Sequence, residues 1–476
     1  MSKKILLLFL LMFSLNASPQ SRRVAPGQIS KAVDPSVAAI PDKPLKEMFD
    51  EANSYAKVKA AEFEQKKVVY SDSLFKQIRR EQKQLAAKYA GVAGQRQNLS
   101  GEDLYYLGML HWVAENLDGA AANLRKFLVS ENPAPDKVQT ARSVIVIIGA
   151  KQKNFADAES LLAEYIKASP IKLSERARME AELAKAYLTA KDYDNAAPHA
   201  DSAFAAMRTI FADPATRPRV ADELLDDGML RFESYRDSRH QKKADDSLED
   251  MRTAAAEIAS PTLYYYALDN LIKYMIETNR KPLAMETYAL SIDRTTKDFV
   301  SKDMQADIIQ RLKKREKHYK MLGELAPEFQ KVDQWFPGQE STLAEMRGKV
   351  IFLDFWATWC APCLEAFPSI KEWQQDFGRD GLIILGITRY YGTAEGFPVD
   401  NPNEIEYFKR FKKTYGLPYD FVVTKDQTTQ RDFGATLLPT AVLIDRNGIV
   451  RFVESGTSPT RLEEIRENIV KLLAEK

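Results

Sequence analysis

The sequence predicts a multidomain chain, an all-α helical-repeat array followed by an α/β domain with a mixed central sheet. Between residues 44 and about 323, apolar residues recur at helical spacing, beginning with Leu45, Phe49, Ala52 and Ala56, and strand formers do not cluster. After about residue 324, short runs rich in Val, Ile and Phe alternate with helical stretches. A third observation joins the halves to a chemistry: VIFLDFWATWCAPC, Val350 to Cys363, ends a β-forming run on the only two cysteines of the chain.

The N-terminus has a three-part layout. Lys3 and Lys4 precede an apolar core, Ile5 to Leu15, and Asn16-Ala17-Ser18 supplies small residues for cleavage, so residues 1–17 read as a secretory signal. That core is shorter than the roughly 20 residues of a membrane-spanning helix. The Val144–Ile148 run is shorter still, so no transmembrane segment is expected in the mature chain. No cysteine follows the signal to accept a lipid. Residues 18–43 carry Pro19, Pro26, Pro35 and Pro41 with little periodicity and read as a disordered lead-in. The expected location is exported, periplasmic or otherwise extracytoplasmic in a bacterium, where disulfides persist.

Residues 44–323 form the expected helical domain. Leu117-Asp118-Gly119-Ala120, Phe155-Ala156-Asp157-Ala158 and Tyr193-Asp194-Asn195-Ala196 place their alanines 38 residues apart, with weaker echoes at Ala244 and Ala284. Leu104, Leu107, Gly108, Leu124 and Pro133 surround the first alanine; Ile145, Leu162 and Pro170 surround the second; Leu183, Ala184 and Tyr187 precede the third. Small residues let antiparallel helices approach, larger ones fill the gap, and proline follows a helix end. This pattern resembles a tetratricopeptide-like array with a period longer than about 34 residues. Such an array implies a concave face for a protein partner; the plainer alternative is a spacer that packs on its neighbour. Tyr264-Tyr265-Tyr266 and Tyr105-Tyr106 read as mixtures of core and surface positions rather than binding patches.

From Leu325-Ala326-Pro327 the pattern changes, and residues 324–476 form the second expected domain. Phe329 to Met346 carries Pro337-Gly338 and few helical signals. Val350–Phe355 reads as a buried strand, Cys360 starts a helix to about Phe377, and Leu382–Thr388 is a second strand. Glu404–Tyr415 is helical and Phe421–Val423 a short strand. Ala441–Ile444 and Ile449–Val453 flank the hairpin turn Asp445-Arg446-Asn447-Gly448, and Pro459–Leu473 is an amphipathic helix.

Charge narrows the function classes. Lys plus Arg total 68 against 67 acids, a formal charge of +1, so no overall field favours nucleic acid or an anionic membrane. The basic run Arg311–Lys317 reads as a solvated helix face. His111, His199, His240 and His318 are scattered without ligand spacing, and neither a metal nor a cofactor is expected.

The two cysteines carry the expected chemistry. Nothing else exists for either to bridge, so the economical use is a reversible dithiol–disulfide couple. A cysteine at a helix N-terminus faces unpaired N–H groups and the positive dipole end, which favour its thiolate. Cys360 is therefore the expected nucleophile. Cys363, one turn further in, would resolve the mixed disulfide. Pro362 lacks an N–H that a first turn would leave unpaired anyway. Asp354, on the buried strand, is the expected proton-transfer group, because desolvation raises a carboxyl's pKa. Other uses of the pair fit less well. Haem attachment wants His after the second cysteine, where Leu364 stands; a zinc ribbon wants a second ligand pair; a peroxidase wants Ser or Thr at Ala357 and Pro at Leu353.

The stretches APEF (Ala326–Phe329), RGKVIFLDFWATWCAPC (Arg347–Cys363), Pro368, YGLPYDF (Tyr415–Phe421), LLPT (Leu437–Thr440) and LIDRNGIV (Leu443–Val450) together resemble TlpA/ResA-like thioredoxin-fold thiol–disulfide oxidoreductases. The resemblance implies a thioredoxin fold over 324–476 and action on protein thiols or disulfides, reductive in direction, with a separate partner that recycles the couple. It implies that Pro439 is cis and that Leu438 and Pro439, with Trp359 and Pro362, contact an extended substrate. Of Trp356 and Trp359, one is expected packed and one exposed. One position departs from the pattern. The group commonly carries Glu three residues after the second cysteine, where this chain has Ala366, which shifts weight onto Asp354. A contrasting function is an interaction scaffold in which the redox pair is secondary.

Overall fold

The computed structural model describes residues 43–68 and 71–475. The expected signal at 1–17 and nearly all of the lead-in lie outside the described residues. The chain divides into two compact units, meeting at Met251 and Arg252 within a helix.

The first unit is helical throughout its described residues. It contains α1 (Leu45–Gln65), α2 (Asp72–Ala93), α3 (Gly101–Val113), α4 (Leu117–Leu128), α5 (Pro135–Lys151), α6 (Phe155–Lys167), α7 (Leu173–Thr189), α8 (Tyr193–Phe211), α9 (Arg217–Asp237) and most of α10 (Gln241–Glu257). The second unit opens with α11 (Pro261–Glu277), α12 (Lys281–Asp298) and α13 (Lys302–Met321). From α3 to α12 these helices form consecutive hairpins. Ala120, Ala158, Ala196, Ala244 and Ala284 are each the fourth residue of the second helix of a hairpin, and each has 0% exposure. The weak echoes at Ala244 and Ala284 thus occupy the same structural position as the evenly spaced three.

The hairpin turns share one construction. Their central residues Glu115, Lys153, Lys191, Arg239 and Asn279 all have φ between 58° and 61°. A left-handed residue other than Gly costs roughly 1–2 kcal/mol. The following N–H compensates by reaching the carbonyl five residues back: Asn116 to His111, Asn154 to Gly149, Asp192 to Tyr187, His240 to Tyr235 and Arg280 to Met275, at 2.8–2.9 Å. The tight turn brings the two helices close. A Cβ on Gly149 would stand 3.0 Å from that of Ala158. The α3 helix is apolar on most sides, so Tyr105 and Tyr106 are both buried, whereas α11 buries Tyr264 and exposes Tyr266. The first pair departs from the mixture expected; the second follows it.

The remainder of the second unit is β1 (Val332–Phe336), β2 (Val350–Phe355), α14 (Ala361–Phe377), β3 (Leu382–Arg389), a small hairpin of β4 (Thr393–Ala394) and β5 (Phe397–Pro398), α15 (Asn401–Tyr415), β6 (Asp420–Thr424), α16 (Thr428–Asp432), β7 (Thr440–Ile444), β8 (Val450–Ser455) and α17 (Pro459–Ala474). The main sheet has the order β1-β6-β3-β2-β7-β8. Strands β2, β3 and β6 run parallel, joined through helices, while β1, β7 and β8 pair antiparallel. All six residues of β2 are buried, as a central strand covered on both faces requires. Strand β1 was absent from the expectation; it is an edge strand whose Asp333 and Gln334 face solvent and break the apolar signal. The turn after β7 forms as read: Asp445 Oδ1 accepts from the N–H groups of Asn447 and Ile449, and Gly448 takes φ +81°.

The run Arg311–Lys317 is not wholly solvated. Lys313, Lys314 and Lys317 are exposed, but Arg315 is buried. It donates to Asp269 on α11 at 3.1 Å and to Glu454 on β8 at 2.8 and 3.2 Å. Lys273 lies 3.2 Å from Asp269 and 3.0 Å from Glu454. Burial opposes ionisation of both acids, but Lys273 and Arg315 outweigh it and hold both carboxyls below their ordinary range. A rotation of about 100° per residue turns Arg315 to the packed face while the neighbouring lysines face solvent, which a run of basic letters does not reveal.

Candidate active site

The site is built at the C-terminal end of β2. Strand periodicity puts Phe352, Asp354 and Trp356 on one face. Phe352 packs on Trp373 and Trp356 on Phe367, so this is the face that α14 covers. Asp354 lies between them, paired in register with Gly386 of β3 and Ala441 of β7. Its side chain is buried and Oδ2 makes no hydrogen bond. Burial alone raises its pKa to about 7. Nearby, Trp356 Nε1 and the Tyr419 hydroxyl are also buried and unpaired. Both border Gly386, where a Cβ would stand 2.9 Å from Trp356 Nε1 and 3.2 Å from Tyr419 Cε2. Glycine is required there by close approach. Burial, reinforced by the charge of Asp354, holds the Tyr419 hydroxyl well above its ordinary pKa.

Beyond Phe355 the chain turns through Trp356–Trp359 to Cys360. Cys360 is the N-cap of α14 rather than its first residue, with extended angles φ −85° and ψ 94°. Its carbonyl accepts from the N–H groups of Cys363 at 3.0 Å and Leu364 at 3.3 Å. Cys360 and Cys363 form a disulfide with Cα atoms 5.3 Å apart. Cys360 is 3% exposed and Cys363 0%; Ala361 and Pro362 are exposed. The two tryptophans divide as read. Trp356 is fully buried, stacked on Phe411 at 5.2 Å, and Trp359 is 60% exposed.

A support for Trp359 escaped the sequence reading. Its ring meets Tyr391 edge-on at 5.3 Å, and the Arg389 guanidinium lies 4.1 Å from the Tyr391 centroid. The fully buried Glu404 carboxylate accepts from the N–H groups of Tyr391 and Gly392 at 2.8 and 2.9 Å, fixing that loop to α15. The useful signal was an acidic residue in the first turn of an amphipathic helix, four places after Asp400, the N-cap. Its partners are backbone groups, which sequence does not display.

The third wall is the segment before β7. The Leu438–Pro439 peptide bond is cis. Thr440 pairs with Phe355, so Pro439 lies at the end of the sheet that carries the cysteines. Leu437 is 61% exposed, and Leu438 packs against the apolar cluster that contains Cys360 and Cys363. Gly456 N–H donates to the Pro439 carbonyl at 2.8 Å, and Thr440 Oγ1 donates to the Leu437 carbonyl at 2.6 Å.

Comparison with known proteins bears on this geometry. Residues 322–453 match the AhpC/TSA family model. Over 148 residues the chain is 31% identical to the thiol-disulfide oxidoreductase ResA of Geobacillus thermodenitrificans, covering 31% of this chain and 76% of that protein. The chain belongs to the ResA-like thiol–disulfide oxidoreductases. The thioredoxin-like protein YneN of Bacillus subtilis is 27% identical over 135 residues, covering 28% of this chain and 72% of the relative. A crystal structure of a thiol:disulfide interchange protein of the thioredoxin family from Chlorobium tepidum is 23% identical, with TM-score 0.26, and covers 32% of this chain and 97% of that one.

Within this ResA-like domain the structure brings Asp354, Trp359, Cys360, Pro362, Cys363, Leu438 and Pro439 to one end of the sheet. Ala366 is buried on α14, and Glu365 beside it is exposed. The adjacent carboxylate therefore faces solvent.

Proposed function

We propose that the chain is an exported reductase of protein disulfides, in which Cys360 attacks and Cys363 resolves. The observation that carries this reading is a disulfide at a helix N-terminus, seated on the strand that holds a buried carboxyl of pKa about 7. In the reduced protein, the Cys360 thiolate attacks one sulfur of a substrate disulfide and expels the other as thiolate, leaving a mixed disulfide. Asp354 takes the proton of Cys363, whose sulfur attacks Cys360 Sγ and breaks the mixed bond. Two electrons pass to the substrate, and the Cys360–Cys363 disulfide forms. A second dithiol protein must then reduce it. A carboxyl near neutrality suits both directions of that proton transfer.

Trp359, Pro362, Leu437 and Leu438 offer apolar surface around Cys360 for an extended segment of the substrate, with Pro439 behind them. Export rests on the signal read at residues 1–17; among the described residues no helix is long and apolar enough to cross a membrane. The helical hairpins recruit or position a partner, as repeated hairpins present extended faces.

Reduced Cys363→Ser protein should accumulate a mixed disulfide with insulin on a non-reducing gel, and Cys360→Ser should not. Insulin reduction that survives Cys360→Ser would overturn the assignment. A reduction potential near the oxidising extreme, about −120 mV, would reverse the proposed direction.

A further inference from the structure

The segment that leads into Pro439 is gripped by a residue far outside the oxidoreductase motifs. His318 lies on α13, 4% exposed, in the same compact unit as the sheet. Arg315 Nη1 is 2.9 Å from its Nδ1, and Nε2 is 2.9 Å from the Gly434 carbonyl. A guanidinium only donates, so Nδ1 accepts and the proton sits on Nε2, which donates to Gly434. The contact is close. Gly434 has φ +63°, and a Cβ there would meet His318 Cδ2 at 2.7 Å and Nε2 at 2.9 Å. From Gly434 the chain runs through Ala435 and Thr436 to the exposed Leu437 and the cis Leu438–Pro439 bond.

The opposite side of this segment is held from the same helix. Arg315 donates to the Val453 carbonyl at 3.3 Å and to both Glu454 oxygens. Two residues on, Gly456 N–H holds the Pro439 carbonyl, and the Ser455 hydroxyl is 2.8 Å from that of Thr440. Thus α13 fixes the stem before the proline through His318, and the strand behind it through Arg315. Asp269 and Glu454 anchor Arg315.

We propose that His318 is a positioning residue for disulfide exchange with protein substrates: it sets the conformation of the Gly434–Pro439 segment that a substrate chain lies against. The proposal rests on the reading above that this segment contacts substrate. His318 does not approach the sulfurs through any contact of its own, so it acts on substrate binding and leaves the chemistry of the cysteine pair alone.

The test compares insulin, a protein disulfide, with 5,5′-dithiobis(2-nitrobenzoic acid), a small disulfide with no chain to lie on the segment. Dithiothreitol supplies the electrons for insulin; the small disulfide, which dithiothreitol would reduce directly, is instead reacted in a single turnover with protein reduced beforehand and freed of dithiothreitol. His318→Leu should raise the KM for insulin about tenfold while kcat falls less than twofold. The small-disulfide rate and the reduction potential of the Cys360–Cys363 couple should stay within experimental scatter of the parent. His318→Gln, whose amide accepts from Arg315 and donates to Gly434, should restore the insulin KM to within about twofold. Should His318→Leu not fold, His318→Asn, too short to span both partners, should show the same KM rise. An unchanged insulin KM in a folded variant overturns the proposal, as does an equal loss on both disulfides. Loss of insulin reduction by Cys360→Ser tests the function reading separately, because that variant abolishes exchange with both probes.

Discussion

Replacing Asp354 by asparagine removes a buried charge and keeps its shape. Burial raises the pKa of Asp354 from 3.8 to about 7. Each pH unit of such a difference corresponds to 1.36 kcal/mol, so ionising this carboxyl in the folded chain costs about 4 kcal/mol. The sign follows from proton counts. Between pH 4 and 7 the folded chain keeps a proton that the unfolded chain has lost, so the parent loses stability as pH rises and levels off above 7. Asp354→Asn has no such loss. Its stability relative to the parent should rise by about 4 kcal/mol between pH 4 and pH 8. Any fixed penalty for seating the amide shifts both ends equally, so the slope is the readout. Urea unfolding of the oxidised protein, followed by tryptophan fluorescence, measures it: four of the five tryptophans, Trp335, Trp356, Trp359 and Trp373, lie in the sheet domain. A difference independent of pH, or one that falls with pH, would refute the reasoning. Under the proposed proton transfer from Cys363 to Asp354, the same substitution should also slow insulin reduction at pH 7; an unchanged rate would remove Asp354 from that role.

Two other changes test the frame around the site. Arg315→Met leaves Asp269 and Glu454 buried with Lys273 as their shared cation, and should destabilise the second unit by about 3–5 kcal/mol in urea; a loss under 1 kcal/mol would mean that the network contributes little. Gly386→Ala drives a methyl to 2.9 Å from Trp356 Nε1, which should cost about 1–3 kcal/mol and alter the near-ultraviolet circular dichroism of Trp356. Parent-like spectra and stability would show that the neighbouring rings move aside freely.

Much of the site was legible from short-range patterns. The run VIFLDF announced a strand buried on both faces because its only polar letter is Asp354, and the structure buries all six residues. The spacing of the cysteines placed both within one helical turn, which needs no tertiary information. The helix itself begins one residue later than read, because Cys360 serves as cap. The even spacing of Ala120, Ala158 and Ala196 announced repeated helix pairs, since an alanine recurs wherever two helices touch. The irregular gaps before Ala244 and Ala284 obscured two further copies: α8 and α9, at 19 and 21 residues, lengthen the first gap, α10, at 17, is longer than α4 and α6, at 12 and 13, and a fixed period does not accommodate extra turns.

What stayed hidden depends on partners distant in sequence. Arg315 and Lys314 are adjacent letters of one basic run, yet one is buried between Asp269 and Glu454 and the other is solvated. Glu404 and His318 act on carbonyl and N–H groups of remote loops, and backbone groups are alike in every sequence.

By itself the sequence determined the redox pair, the strand and helix that carry it, and the helical character of the first half. Each follows from periodicity or spacing within a few turns of chain. Only the tertiary structure decided that Asp354 is uncompensated, that Trp359 is the exposed tryptophan, and that α13 reaches the segment before Pro439. Those outcomes turn on desolvation and on which groups meet across the fold, and both are properties of packing.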